Sequence, residues 1–456
     1  MIRLLSFLVI FTCLTGQIAA APPHDLQKRL DAWNRGQPGG IAAAWVDSSG
    51  TVLTCSGQYA ADDSRQATPD TQFSIGSVTK VFTAVLLAES ERRGLVARNA
   101  PAASYLLPDD DSDQGKLAAI TLLALVTHRA GLPMSPDNFL EFTPGPDNPF
   151  GTYDRKAMVA ALRRHGRSAP VGRAMVYSNF GMAVLGEALA SAWRRDYADA
   201  LDAAVLRPLG MRDTFLSLTG REPSKRLAPD HVEGVRKANY TLLAFAPAGA
   251  VCSSPRDMGI SLAACLGYSD SPLQAAIGET LKPRNAAEDF GCRIAMGWFI
   301  DDDDDRMIAW HGGATAGSRA FIAFDLQRRM GVAILANSDR EVLPLAFELL
   351  SSKRVELFRQ PPNLKNASEY VGVYRQEDAD EVTILAKEGG LVVQRKDWQD
   401  SWPLRKIDTD RYAVRMMPAE ILFERDDASR VSAIVTDLEG EKRRIPLDDR
   451  SVDRSR

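Results

Sequence analysis

The stretch from Val78 to Ala88 constrains the fold most. Val81, Phe82, Ala84, Val85, Leu86, Leu87 and Ala88 put apolar side chains on nearly every side of a helix. A helix without a polar face has to be enclosed by the rest of its chain. It reads as far as Arg92-Arg93, with Gly94 as its C-terminal cap. A chain of 456 residues, 45% of them hydrophobic, has the apolar surface to wrap such a helix and to build more than one core. Disordered and collagen-like chains are excluded.

Around this helix the pattern alternates between sheet and helix. Ile41 to Val46 and Thr51 to Cys55 are short strand-like runs joined by Asp47-Ser48-Ser49-Gly50, the signature of a hairpin. Helical periodicity returns at Leu117 to Leu125, Lys156 to Arg164 and Phe180 to Ala198, with Pro/Gly-rich loops such as Thr143-Pro144-Gly145-Pro146 between. Strand character reappears at Gly297 to Ile300, Met307 to Trp310, Ala320 to Phe324 and Gly331 to Leu335, and a helix follows from about Arg340 to Leu357. Strands at both ends of a helical middle predict one antiparallel sheet assembled from the two ends of the domain. Asp301 to Asp305 fall between two of these strands and read as a solvated hairpin tip, because a calcium loop needs spaced ligands and a turn Gly.

Composition shifts near Gln360-Pro361-Pro362-Asn363. Beyond it, Tyr370 to Tyr374, Val382 to Leu385, Leu391 to Gln394, Tyr412 to Arg415, Ile421 to Glu424 and Val431 to Thr436 recur at roughly ten-residue spacing. That is the pattern of a small all-β barrel or sandwich. The expected division is a leader over 1–21, a main domain over 22–360 and a small β-domain over 361–456. Asn366-Ala367-Ser368 matches the glycosylation acceptor pattern, a match too short to decide anything.

The leader reading rests on Arg3, the apolar run Leu4 to Leu14 and Ala19-Ala20-Ala21, which together resemble a secretory signal peptide. The run is shorter than the roughly 20 residues a spanning helix needs, and no later segment is longer, so a secreted or periplasmic protein without a transmembrane segment is expected. Cys13 lies in the leader, and Ile10-Phe11-Thr12 before it is a poor lipid-attachment box. Cys55, Cys252, Cys265 and Cys292 remain, compatible either with a disulfide in an oxidising compartment or with small buried hydrophobes. No C-x-x-C occurs, and the histidines are scattered, so no zinc site is expected. With 55 basic against 59 acidic residues the net charge is −4, and no Lys/Arg tract exists. This argues against nucleic acid and anionic membranes as partners and favours a small-molecule or peptide substrate.

Ser77-Val78-Thr79-Lys80 lies at the mouth of the apolar helix. Positions i and i+3 share a helix face, so Lys80 projects beside the Ser77 hydroxyl. Serine is a weak nucleophile until a neighbour takes its proton, and a desolvated lysine can do so. The plainer alternative has Ser77 capping the helix and Lys80 reaching to solvent.

Two further elements decide between them. Tyr177-Ser178-Asn179 precedes the helical run from Phe180, and Trp310-His311-Gly312-Gly313 closes a strand. S-x-x-K, then Y-x-N, then a strand with K-T-G or H-x-G is the order found in the penicillin-recognising serine hydrolases, and the chain resembles their class C β-lactamase, D,D-carboxypeptidase and D-aminopeptidase branch. Leu125-Val126-Thr127-His128-Arg129-Ala130-Gly131-Leu132, Pro208-Leu209-Gly210-Met211, Pro247-Ala248-Gly249-Ala250 and Ser254-Pro255-Arg256-Asp257 are also similar to stretches of that family. The resemblance covers about residues 25 to 357. It implies an α/β fold of the β-lactamase/transpeptidase type, with a five-stranded antiparallel sheet flanked by helices and an active site at the seam with an all-helical region. The C-terminal part resembles, more weakly, the small β-barrel appended to many such hydrolases.

The resemblance also implies roles. Ser77 is the acylated nucleophile, Lys80 its proton acceptor or electrostatic partner, and Tyr177 the general acid/base. Asn179 hydrogen-bonds a substrate amide, and the backbone N–H groups of Ser77 and Ala314, the latter following Gly313, form the oxyanion hole. No metal or cofactor is required. His311 is a departure, since the β-lactamase form has Lys there. A largely neutral His suits a β-lactam carboxylate less than a fixed cation does, which points toward D-amino-acid peptides or small esters. His128 is expected to be structural. No G-x-S-x-G elbow is present, which argues against an α/β-hydrolase. The rival from another class is an inactive relative that binds peptidoglycan fragments. Oligomeric state is not legible.

Overall fold

The structure is a computed structural model. It describes residues 24–352, apart from 109–110, 144, 146, 166–170, 172–174, 288–291 and 304, and residues 367–448, apart from 376–380, 388–389, 396–401, 415–418 and 439–440. The expected leader, the boundary near 360, Asn366, Pro144 and Pro146 lie outside the described residues.

A nine-stranded antiparallel sheet organises the main part. Its strands are β1 (Gly40–Asp47), β2 (Gly50–Ala60), β3 (Asp63–Gln66), β6 (Asn285–Ala287), β7 (Cys292–Ile294), β8 (Phe299–Asp303), β9 (Arg306–Ala314), β10 (Arg319–Asp325) and β11 (Met330–Ala336). Among the short strands outside it are β4 (Phe73–Ser74) and β5 (Asp230–Val232). The order across the sheet is β3-β2-β1-β11-β10-β9-β8-β7-β6. The N-terminal hairpin thus docks on the last strand of the domain, with Ala43 opposite Ile334 and Trp45 opposite Val332. The sheet is wider than the five strands the resemblance implies, because β6, β7 and β8 extend one edge and β3 the other.

Both faces of β1 are buried along its whole length. On one side Ala42, Ala44 and Val46 join Phe82, Leu86, Ile322 and Leu335 in the larger core. On the other Ile41, Ala43 and Trp45 pack with Leu30 of α1 (Leu26–Asn34) and Phe347 of the Leu343–Leu349 helix. The apolar helix α2 (Thr79–Arg92) is buried from Thr79 to Ser90, as its lack of a polar face demands. It ends where Gly94 takes a φ of 71°, with Leu95 N–H bonding Ser90 O and Gly94 N–H bonding Glu91 O, a Schellman cap.

Some local expectations shift. The Phe180 run forms α3 (Asn179–Trp193) and stops where Arg194 turns left-handed at φ 52°. Asp301, Asp302 and Asp303 belong to β8 itself, and the solvated-tip expectation fails for two of them: Asp301 and Asp303 are buried, Arg306 neutralising Asp303 in an ion pair, while Asp302 is exposed. Cys55, Cys252 and Cys265 carry free thiols, Cys252 and Cys265 deeply buried, which matches the small-hydrophobe alternative for these three.

Beyond residue 366 eight antiparallel strands, from Gly372–Arg375 to Glu441–Pro446, follow one another in sequence order around a separate core of Tyr374, Ile384, Val393, Tyr412, Phe423 and Ile434. A single bridge between Tyr374 and Leu447 links the first strand to the end of the last. No full ladder closes a barrel among the described residues. No described helix is long and apolar enough to cross a membrane.

Candidate active site

The nucleophile turn is fixed from several sides. After β4, Ile75 N–H bonds Val251 O at 3.0 Å, and Gly76 takes a φ of 48° at the start of a short 3-10 turn, Gly76–Val78, that leads into α2. Thr79 Oγ1 accepts from Val251 N–H at 3.1 Å. Ser77 is thereby presented at the mouth of the helix, half-buried, while Lys80 on the first turn is wholly enclosed.

Lys80 Nζ lies 2.8 Å from Ser77 Oγ and donates to Ala248 O at 2.8 Å. Ala248 belongs to α4 (Ala246–Gly249), held against α2 by the Thr83 hydroxyl, which bonds Pro247 O at 2.8 Å. Enclosure removes water from the amine and drives its pKa well below that of a free lysine. A neutral amine that spends one N–H on Ala248 O keeps its lone pair for the Ser77 proton. The solvent-reaching alternative for Lys80 is ruled out by its burial.

Tyr177 arrives on an extended segment that His128 holds in place. His128 O accepts from Val176 N–H at 2.7 Å, its Nδ1 accepts from Ser178 N–H at 3.2 Å, and the two rings lie 4.5 Å apart. His128 adopts the left-handed region, φ 55°, to make both bonds, and burial keeps its ring neutral. Ser178 caps α3, accepting from Gly181 N–H at 2.7 Å. The Tyr177 phenol is buried, which raises its pKa, while a hydrogen bond with Ser77 acts in the opposite direction. It is therefore a protonated acid beside the nucleophile. Asn179 opens α3, and its Oδ1 is buried with no hydrogen-bond partner among the described residues, an acceptor open to a substrate N–H.

The third element is the end of β9. A Cβ on Gly313 would lie 2.0 Å from Ile75 O, and one on Gly76 would lie 2.5 Å from Ala314 O. Strand and nucleophile turn therefore touch backbone to backbone, and only glycine permits it. This contact brings the Ala314 amide against Gly76, the residue before Ser77, where an oxyanion hole needs its two donors. His311 is buried on the same strand. Its Nδ1 donates to Gly312 O at 2.6 Å, leaving Nε2 as a buried acceptor with no partner among the described residues. Burial first, and the charge of Lys80 second, push its pKa down to about 3, so it is neutral at pH 7.

All seven residues expected from the sequence, Ser77, Lys80, Tyr177, Asn179, His311, Gly313 and Ala314, thus lie on the three segments that meet here. Sequence reasoning missed the Ala248 carbonyl, since a backbone acceptor leaves no side-chain signature. The described residues contain no group of three or more His, Cys, Asp or Glu able to hold a metal ion.

The sequence profile of the family described as Beta-lactamase matches residues 26–349. D-alanyl-D-alanine-carboxypeptidase/endopeptidase AmpH of Escherichia coli (strain K12) is 27% identical over 228 residues, 48% of this chain and 55% of that protein. The match thus spans only about half the length of that relative. The fold is shared with a class C beta lactamase from Rhodobacter sphaeroides (TM-score 0.61, 24% identity, 71% of this chain and 97% of the other). It is also shared with the octameric penicillin-binding protein homologue from Pyrococcus abyssi (TM-score 0.63, 18% identity, 92% and 97%).

Proposed function

The chain belongs to the beta-lactamase family, and from that membership we propose that it is an exported serine acyl-hydrolase that forms a covalent ester at Ser77 and passes the acyl group to water. The preferred substrates are D-amino-acid peptides or small esters, ahead of β-lactams. The observation that carries the reading is the 2.8 Å approach of the enclosed Lys80 amine to Ser77 Oγ.

The chemistry follows from the protonation states. Ser77 Oγ attacks the acyl carbon as its proton passes to Lys80, whose low pKa makes it a base near neutral pH. Negative charge builds on the carbonyl oxygen, where backbone donors contribute on the order of 3 kcal/mol each in comparable acyl-transfer sites. The protonated Tyr177 gives its proton to the leaving group and is reprotonated from Lys80. Water then takes the leaving group's place and repeats the sequence, freeing the acid and restoring the Ser77 hydroxyl.

Neutral His311 supports the substrate preference. It offers a lone pair, not a positive charge, where a β-lactam would present its carboxylate. The test is covalent labelling. A fluorescent penicillin or an activated ester attaches to the wild type and not to Ser77→Ala; equal labelling of both removes Ser77 from the mechanism. Rates on a D-Ala-D-Ala peptide, a nitrophenyl ester and a chromogenic cephalosporin then rank the substrates, and fastest turnover of the cephalosporin overturns the preference.

A further inference from the structure

Asp230 is completely buried, lies far from Ser77 in sequence and takes no part in the proton transfers above. Its carboxylate receives four donors. Thr315 Oγ1 donates to Oδ2 at 2.5 Å and Gly317 N–H to Oδ2 at 3.3 Å, while Ser318 Oγ donates to Oδ1 at 2.5 Å and Asn239 Nδ2 to Oδ1 at 2.8 Å. Three of these come from the turn that begins directly after Ala314. The same turn is closed by Thr315 N–H to Ser318 O at 3.1 Å and by Ser318 N–H to Thr315 Oγ1 at 3.1 Å.

The fourth donor reaches the other side of the site. Asn239 Nδ2 also lies 3.1 Å from Ser74 Oγ, on the strand that leads into the nucleophile turn, and 3.0 Å from Ala228 O. Buried Asp230 and half-buried Asn239 therefore tie the segment carrying the Ser77 amide to the segment carrying the Ala314 amide. The pair is itself anchored. His231 N–H bonds Gly317 O at 3.0 Å, His231 Nδ1 donates to Asn337 O at 2.8 Å, and Asn337 Nδ2 donates to Pro229 O at 2.8 Å, so the residues flanking Asp230 are fixed to the end of β11. A Cβ on Gly317 would lie 2.5 Å from His231 N, which shows how closely the turn is pressed against β5.

We propose that Asp230, through Asn239 and the Thr315–Ser318 turn, is a positioning residue that sets the spacing of the two oxyanion donors, Ser77 N–H and Ala314 N–H. This rests on the acyl-transfer reading of the site. Four converging donors fill the acceptor sites of the carboxylate, and they join the two walls of the hole. Burial pushes the Asp230 pKa up, and the Ser318, Thr315 and Gly317 donors with the charge of Arg319 pull it back. An amide in its place would turn an N–H toward one of these donors and slacken the clamp without changing its size.

The experiment compares wild type with Asp230→Asn and Ser318→Ala, each normalised to active sites by the burst of an activated nitrophenyl ester. For Asp230→Asn, kcat falls on the order of 10- to 100-fold with KM within about twofold, since a displaced donor is felt only as charge develops. The affinity of a boronic acid that forms a tetrahedral adduct at Ser77 falls in parallel. The midpoint of the pH–rate profile stays in place, because Lys80 and Tyr177 are untouched. Ser318→Ala, a milder change that keeps the fold if Asp230→Asn does not, shows the same split at several-fold. Unchanged kcat per active site, or equal losses in kcat/KM and in ground-state binding, overturns the proposal. A wild type that neither labels nor turns over any ester or peptide brings down the hydrolase reading and this one with it; an active wild type beside unaffected variants overturns this one alone.

Discussion

The amine of Lys80 lies 5.0 Å from the centre of the Tyr177 ring and 2.8 Å from Ser77 Oγ, and the Tyr177 side chain is buried beside it. Base and acid of the proposed cycle thus share one nucleophile in an enclosed space. Burial sets their roles by lowering the lysine pKa and raising that of the phenol.

Lys80→Arg, whose guanidinium is permanently charged and cannot accept a proton, is expected to lower the acylation rate by about 10² to 10⁴. In the wild type, acylation rises with pH through the depressed lysine pKa, so its acidic limb sits well below 10.5. Stopped-flow labelling across pH measures both. An acidic limb near 10.5 would remove Lys80 as the base.

Gly313→Ala tests the backbone contact between β9 and the nucleophile turn. The added methyl meets Ile75 O at 2.0 Å and Val78 N at 3.0 Å, and neither can move without displacing Ser77. A loss of about 10² in kcat is expected. Gly312→Ala is the control, since its methyl meets only the Phe321 ring, at 3.5 Å, and activity should be kept. Steady-state rates of the pair decide.

His128 and His311 make stability depend on pH. Both are buried with folded pKa values below the ordinary 6.5, about 3 for His311. Below pH 6.5 the unfolded chain takes up protons that the folded chain refuses. The stability from keeping these rings neutral is therefore complete above pH 6.5 and is lost as pH falls toward 3, by up to about 1.4 kcal/mol per pH unit for each ring. Thermal melts from pH 7.5 to 4.5 should show this decline, and His311→Asn should flatten it. An unaltered slope in that variant would place the pH dependence elsewhere.

His311→Lys restores a cation where the β-lactamase form carries one. The ratio of cephalosporin to peptide or ester turnover should rise about tenfold, roughly the 1.4 kcal/mol of one added charge contact with a carboxylate. Parallel kcat/KM measurements check it, and a constant ratio would mean that His311 does not select against anions.

The site was largely legible in the sequence because its key chemistry is local. Ser77 and Lys80 are one helical turn apart, and the all-round apolar run after them announces burial. What escaped depends on contacts between distant segments. Asp230 stands next to a histidine in an unremarkable Pro229-Asp230-His231 stretch, and only the fold brings it to Thr315 and Ser318. The Asp301 to Asp305 run looks solvated by composition, yet alternation along β8 turns Asp301 and Asp303 inward, where Arg306 meets Asp303. The short strands Asn285–Ala287 and Cys292–Ile294 lack an alternating apolar pattern, which is why the sheet is wider than expected. The C-terminal strands Trp402–Asp408 and Glu441–Pro446 were missed for a similar reason, being rich in charge.

The pairing of Gly40–Asp47 with Met330–Ala336 joins nearly opposite ends of the domain. During synthesis the first hairpin must wait with one bare edge until almost all of the catalytic part has left the ribosome, a slow, non-local closure that exposes the growing chain to mispairing. Shortening the gene upstream of residue 330 would accordingly leave an unfinished sheet, not a smaller working enzyme.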